Sequence, residues 1–199
     1  MNVAATRTRM AHDYYPTPDR LVTELLDHAV DFRQVLNDSK VFEPCAGDGA
    51  IARHFPGCIT NEPWLDWGNS DREYIPHYSS DATRERVWQA VRPDVPITNP
   101  PYESEAMLAI LQNAWTYSSK GMAFLIRLGY LEPCQNRAMW LKETSDHLRY
   151  WIPINPRPKF RKDVNGTDNV THAWAVWMKH FSWERQGIDC PFKFITGWK

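Results

Sequence analysis

The stretch Val41-Phe42-Glu43-Pro44-Cys45-Ala46-Gly47-Asp48-Gly49-Ala50 decides how this chain is read. Val41 and Phe42 form a short apolar run that reads as a strand. Pro44 stops it, because proline has no N–H to give to a ladder. Gly47 and Gly49 then let the backbone turn tightly and approach a ligand closely. Ile51, Ala52 and Phe55 carry the apolar pattern on and predict a helix. A strand, a glycine turn and a helix make the unit that binds cofactors at the carboxyl edge of a parallel sheet. G-x-G alone is weak evidence, but E-P-x-x-G-x-G directly after a strand is considerably more specific.

Working outward, Cys58-Ile59-Thr60 reads as a second strand, ending in Asn61-Glu62-Pro63-Trp64. A carboxylate there is where a doubly wound nucleotide site holds ribose hydroxyls; alone, Glu62 would be read as a solvated loop acid. Residues 74–80 give a weak third strand ending at Asp81, and residues 83–91 a helix with Val87, Trp88 and Val91 on its buried side. Val95-Pro96-Ile97 ends a fourth strand and leads into Thr98-Asn99-Pro100-Pro101-Tyr102. Two consecutive prolines stiffen the chain and push each preceding residue towards extended backbone. The Asn99 amide and nearby carbonyls are thus held in fixed directions, with a ring following in Tyr102. Such a set grips a flat group with an amino edge; the rival reading is a proline turn.

Upstream, residues 1–12 are polar and predicted to be a flexible arm. In Asp13-Tyr14-Tyr15-Pro16-Thr17-Pro18, Thr17 reads as a helix N-cap and Pro18 as the first helical residue. Leu21, Val22, Leu25, Leu26, Ala29 and Val30 then give one apolar helical face. Downstream, residues 104–117 read as a helix, 122–126 as a fully buried strand, 133–143 as a helix, and 148–154 and 172–178 as strands. The loop at residues 155–171 is long enough to suggest a function. It carries Arg157, Lys159, Arg161 and Lys162 around Phe160. The tail at residues 190–199, with Phe192, Phe194, Ile195 and Trp198, is expected to pack back on the domain.

Composition bounds the rest. The 199 residues, 43% hydrophobic and 24% charged, fit one domain with a sizeable core. No run reaches about 18 apolar residues, so no membrane span is expected. The start has no apolar segment of the signal-peptide kind. Cys45, Cys58, Cys134 and Cys190 show no paired spacing and read as free thiols in a reducing cytoplasm, with no metal site. A net charge of −1 excludes a generally basic nucleic-acid coat but not a local basic patch. Ten tryptophans suit packing and also a site that stacks on bases.

The motif order is Y-P-T-P before a helix, F-E-P-C-A-G-D-G-A after the first strand, Glu62, Asp81, and T-N-P-P-Y after the fourth. This order resembles the S-adenosylmethionine-dependent amino-methyltransferases that act on adenine N6 in DNA, above all the small versions of bacteriophages and prophages. The resemblance implies an α/β, Rossmann-like class I methyltransferase fold: a seven-stranded mixed sheet, the seventh strand antiparallel, with helices on both faces. It implies S-adenosylmethionine as cofactor, with Gly47 and Gly49 under its methionine part beside Glu43, and Glu62 on its ribose. Asp81 would meet its adenine amino group, Tyr15 and Thr17 would lie near its carboxylate, and Trp64 would cover its adenine. Cys45, inside the same motif, counts with this group and is read as packing. Asn99, Pro100, Pro101 and Tyr102 match the catalytic motif. The Asn99 oxygen and the Pro100 carbonyl would accept from the target amine, and Tyr102 would stack on the base. Phe160 would pack on the other face of a flipped-out adenine, with Arg157, Lys159, Arg161 and Lys162 on phosphates.

The expected partner is therefore nucleic acid, DNA first, in a bacterial or phage-infected cytoplasm; the sequence leaves the oligomeric state open. The alternatives are RNA adenine methylation, DNA cytosine-N4 methylation, protein-glutamine methylation and a catalytically silent nucleic-acid-binding module. Against the glutamine enzymes stands E-P-C-A-G-D-G in place of their D-x-G-x-G-x-G. One departure is clear: only about 20 residues follow the last strand, too few for a separate target-recognition domain.

Overall fold

The apolar runs expected to be strands do form strands, and they join in one sheet. A computed structural model describes residues 16–63, 75–132, 134–160 and 170–195. The strands are β1 (Val41–Glu43), β2 (Ile59–Thr60), β3 (Val95–Thr98), β4 (Gly121–Arg127), β5 (Leu148–Pro153) and β6 (His172–Met178). They lie in the order β2-β1-β3-β4-β6-β5. β2, β1, β3 and β4 are parallel, while β6 runs antiparallel to both β4 and β5. Among the described residues six strands stand where seven were expected. Of the stretch expected at 74–80, Tyr74 lies outside the described residues, and residues 75–80 supply only an isolated parallel bridge between Asn61 and Tyr78. Pro76 removes a ladder donor there, and no apolar run drives the segment into the sheet.

The helices are α1 (Asp19–His28), α2 (Val30–Leu36), α3 (Glu85–Val91), α4 (Ser104–Tyr117) and α5 (Gln135–Thr144). Strand residues alternate between two cores, as the period of two requires. Val41, Val95, Ile97, Leu125, Trp174 and Val176 pack with Leu21, Val22, Leu25 and Phe32 of α1 and α2. Phe42, Met122, Phe124, Ile126, Ala175 and Trp177 pack with α3, α4 and α5. Helices therefore cover both faces. Phe192 and Phe194 of the tail pack against this second core, whereas Ile195 is exposed; Trp198 lies outside the described residues.

Three local expectations are corrected. The first helical pattern breaks at Ala29 (φ −105°, ψ 65°), which shifts the face that follows: Val30 is 54% exposed and Phe32 is buried instead. The helix expected after the glycines is a single 3₁₀ turn, Ala52–His54, with Phe55 already extended. Pro56 follows, and the residue before a proline is kept out of the helical region. Thr17 does not cap α1: the N-cap is Pro18, with no side-chain cap bond, because the Thr17 hydroxyl is engaged elsewhere.

Among the described residues no helix is long and apolar enough to cross a membrane, and no group of His, Cys, Asp and Glu is placed to hold a metal.

Candidate active site

The carboxyl ends of β1, β2 and β3 carry the glycine turn, Glu62 and the Asn-Pro-Pro-Tyr segment, side by side because the three strands are parallel neighbours. Gly47 (φ 54°) and Gly49 (φ 79°) both take left-handed backbone, which explains glycine at each. The turn closes through Gly49 N–H donating to the Ala46 carbonyl at 2.7 Å. Glu62, 5% exposed, reaches across from the end of β2 and accepts from Gly47 N–H at 2.8 Å. The carboxylate thereby fixes the turn from the position where ribose binding was expected. A carboxylate accepts several donors at once, so this bond is compatible with further hydroxyl donors.

Glu43 serves the chain itself. Its carboxylate is 2% exposed and accepts from Ala52 N–H at 2.7 Å, tying the strand end to the 3₁₀ turn. Burial pushes its pKa well above the ordinary value; the Ala52 N–H opposes, and the Asp48 and Glu62 carboxylates add to the rise. Burial likewise drives the Cys45 thiol far up, so this cysteine is a packed neutral group. Asp81 is exposed and holds its own turn, with Oδ1 accepting from Thr83 N–H at 2.9 Å and from its hydroxyl at 2.7 Å.

The Asn-Pro-Pro-Tyr segment is held at both ends. β3 precedes it, and Glu103 caps α4 directly after it, accepting from Glu105 N–H at 3.1 Å and Ala106 N–H at 2.7 Å. A carboxylate at a helix N-terminus is favourable for the exposed N–H groups. Within the segment, the Tyr102 hydroxyl donates to Asn99 Oδ1 at 2.6 Å, and Asn99 Nδ2 donates to the Thr17 hydroxyl at 3.2 Å. Thr17 is thus brought to Asn99 rather than left as a helix cap. Arg127, at the end of β4, lies over the Tyr102 ring with its Cζ 4.7 Å from the centroid.

Phe160 is 3% exposed, and its ring meets His172 edge-on with centroids 4.9 Å apart; His172 in turn lies 5.1 Å from the Tyr102 ring. Tyr102 and Phe160 therefore share one aromatic cluster, joined through His172. Arg157 and Lys159 are exposed. Tyr15, Trp64, Arg161 and Lys162 lie outside the described residues.

Sequence reasoning missed Asn61, His172 and Arg127. Asn61 is fully buried: its Nδ2 donates to the Pro44 carbonyl at 2.9 Å and the Ser80 carbonyl at 2.8 Å, and its Oδ1 accepts from Ser80 N–H at 2.9 Å. It knots together the ends of β1, β2 and the bridge at Tyr78. An amide just before Glu62 was the available signal. A lone histidine opening an apolar strand was the signal for His172.

No protein-family model and no curated protein sequence matches the chain. Solved structures do. A candidate RNA methyltransferase from Pyrococcus horikoshii superposes with a TM-score of 0.57 at 14% identity, over 84% of this chain and 87% of that one. The methyltransferase subunit of a type I restriction-modification system from Streptococcus thermophilus gives 0.58 at 13%, over 82% and 44%. A candidate class I S-adenosylmethionine-dependent methyltransferase from Listeria monocytogenes gives 0.51 at 11%, over 96% and 65%. The chain spans less than half the length of the restriction-modification subunit. These likenesses establish the class I methyltransferase fold.

Proposed function

We propose that the protein transfers a methyl group from S-adenosylmethionine to the N6 amino group of adenine in DNA. The observation that carries the reading is the Thr17–Asn99–Tyr102 hydrogen-bonded set at the carboxyl end of β3, beside a glycine turn that Glu62 holds closed. The residues fit the cofactor: two left-handed glycines give close backbone approach, and Glu62 is an acceptor at the ribose position. When bound, S-adenosylmethionine supplies an electrophilic methyl on a sulfonium. The chain's own task is to prepare the amine. An adenine amino nitrogen is a poor nucleophile because its lone pair is delocalised into the ring. Asn99 Oδ1 and the Pro100 carbonyl accept from its two N–H bonds and stabilise the charge that develops. Tyr102 positions the base, which must leave its stack to reach this edge of the sheet. Phe160 is buried one ring beyond His172, so it supports that ring from behind. Adenine over cytosine or a glutamine amide rests on the motif order of the sequence, and DNA over RNA on the same resemblance.

The test is to incubate the protein with methyl-labelled S-adenosylmethionine and duplex DNA or RNA, digest, and identify the modified nucleoside. N6-methyladenine in DNA is expected; label in RNA adenosine or as N4-methylcytosine reassigns the substrate. Asn99→Ala should lower transfer at least about a hundredfold with cofactor affinity nearly intact. Wild-type turnover in that variant sinks the reading. Glu62→Ala should weaken cofactor binding roughly tenfold or more in calorimetry.

A further inference from the structure

The amide of Asn99 is useful for accepting from an amine only if its oxygen, not its NH2, faces the substrate side. An asparagine side chain can turn over by a half rotation, and the two ends have nearly the same shape. Something must choose between them. Two hydroxyls of different character hydrogen-bond to the Asn99 amide. A phenol oxygen shares its lone pair with the ring, so it is the better donor and the poorer acceptor. An alkyl hydroxyl keeps its lone pairs and accepts well. The Arg127 guanidinium over the Tyr102 ring draws density from it and strengthens the donor further. The observed pairing follows this difference: Tyr102 donates to Oδ1 and Thr17 accepts from Nδ2. A carbonyl oxygen has two lone pairs, so accepting from Tyr102 does not by itself prevent an amide oxygen from accepting from an amine.

Thr17 is also built to stay in place. It is 7% exposed and lies between Pro16 and Pro18, whose fixed φ angles restrict the backbone. The helix it introduces is tied to the sheet by Trp174 of β6, whose Nε1 donates to the Leu21 carbonyl at 2.8 Å. We infer that Thr17 is a positioning residue for methyl transfer: its hydroxyl holds the Asn99 NH2 and so turns the acceptor oxygen towards the target amine. This inference rests on the methyl-transfer reading and goes beyond a place for Thr17 near the cofactor.

The experiment compares Thr17→Val and Thr17→Ser, each with Asn99 and in the Asn99→Asp background. Valine keeps the shape and removes the acceptor. Thr17→Val should lower kcat about tenfold or more, with the substrate KM and the cofactor Kd within about twofold, since what is lost is a preorganised transition-state contact. Thr17→Ser should recover most of that loss. A carboxylate presents an oxygen whichever way it turns, so in the Asn99→Asp background Thr17→Val should change kcat by less than about twofold. Equal losses in the two backgrounds, or a cofactor Kd that weakens in step with kcat, would overturn the inference and return Thr17 to the cofactor. A second measurement needs no turnover. The Asn99 side-chain NH2 signals, assigned by their loss in Asn99→Asp, should exchange with solvent about tenfold faster in Thr17→Val, the scale of one hydrogen bond. Unchanged exchange also overturns it. Full turnover in Asn99→Ala instead sinks the methyl-transfer reading; an inactive Asn99→Ala with a fully active Thr17→Val sinks only the role of Thr17.

Discussion

At the scale of the residue, Glu43 shows how a motif position divides its labour. The family resemblance implied a place beside the cofactor, and in the fold its carboxyl accepts from Ala52 N–H in a dry pocket. A carboxyl whose folded pKa is raised above its ordinary value of 4.5 holds its proton in the native state where the unfolded chain has lost it. Its contribution to stability is thus complete below pH 4.5 and is lost as pH rises towards the folded pKa. Glu43→Gln keeps an acceptor for Ala52 and removes the titration. The variant is expected to gain stability relative to wild type as pH rises above that value. Melting both proteins across pH checks this: parallel curves would show that Glu43 titrates normally.

Elements here are joined at two points where substitution has a defined cost. Asn61 satisfies three backbone groups from two other segments. Asn61→Ala leaves the Pro44 carbonyl buried and unpaired, at about 1–3 kcal/mol, and removes a partner from two part-buried Ser80 groups that water can reach. The urea midpoint should fall markedly with little change in slope. An unchanged midpoint would mean that the bridge at Tyr78 holds without it. Gly121 opens β4 where it pairs with Met178 of β6, and a Cβ there would meet the Trp177 carbonyl at 2.5 Å. The obstacle is backbone, so the strands must part. Gly121→Ala should cost about 1–3 kcal/mol in denaturant unfolding, and a neutral result would show that the β4–β6 edge opens freely.

The whole molecule has a net charge of −1, so attraction to a polyanion must be local. Arg157 and Lys159 are exposed just before the buried Phe160, whose ring meets the Tyr102 ring through His172. Neutralising each should weaken DNA binding and flatten its dependence on salt by about one counterion. Titrations at several salt concentrations read this directly, and an unaltered slope in the double variant moves the substrate surface elsewhere. Cofactor affinity should not change in either case.

The sequence by itself determined that the strongly apolar runs are strands, though not that residues 75–80 give only a bridge, and that a glycine turn follows the first strand and Asn99 to Tyr102 stand stiffly after β3. Those features are local: strand-length apolar runs, left-handed backbone that only glycine takes easily, and prolines with fixed φ. It also overread local signals. Thr17 looks like a cap from its neighbours alone, and Ile51, Ala52 and Phe55 look like a helix until Pro56 is weighed. The tertiary structure decided which partners the polar side chains take. Thr17 meets Asn99 across 82 residues, and Glu62 meets Gly47 because β1 and β2 are parallel neighbours. His172 joins Tyr102 to Phe160 because β6 enters antiparallel beside β4. A buried polar group must find a partner, but the choice among partners depends on which strand edges the packed sheet brings together, and no local pattern of residues records it.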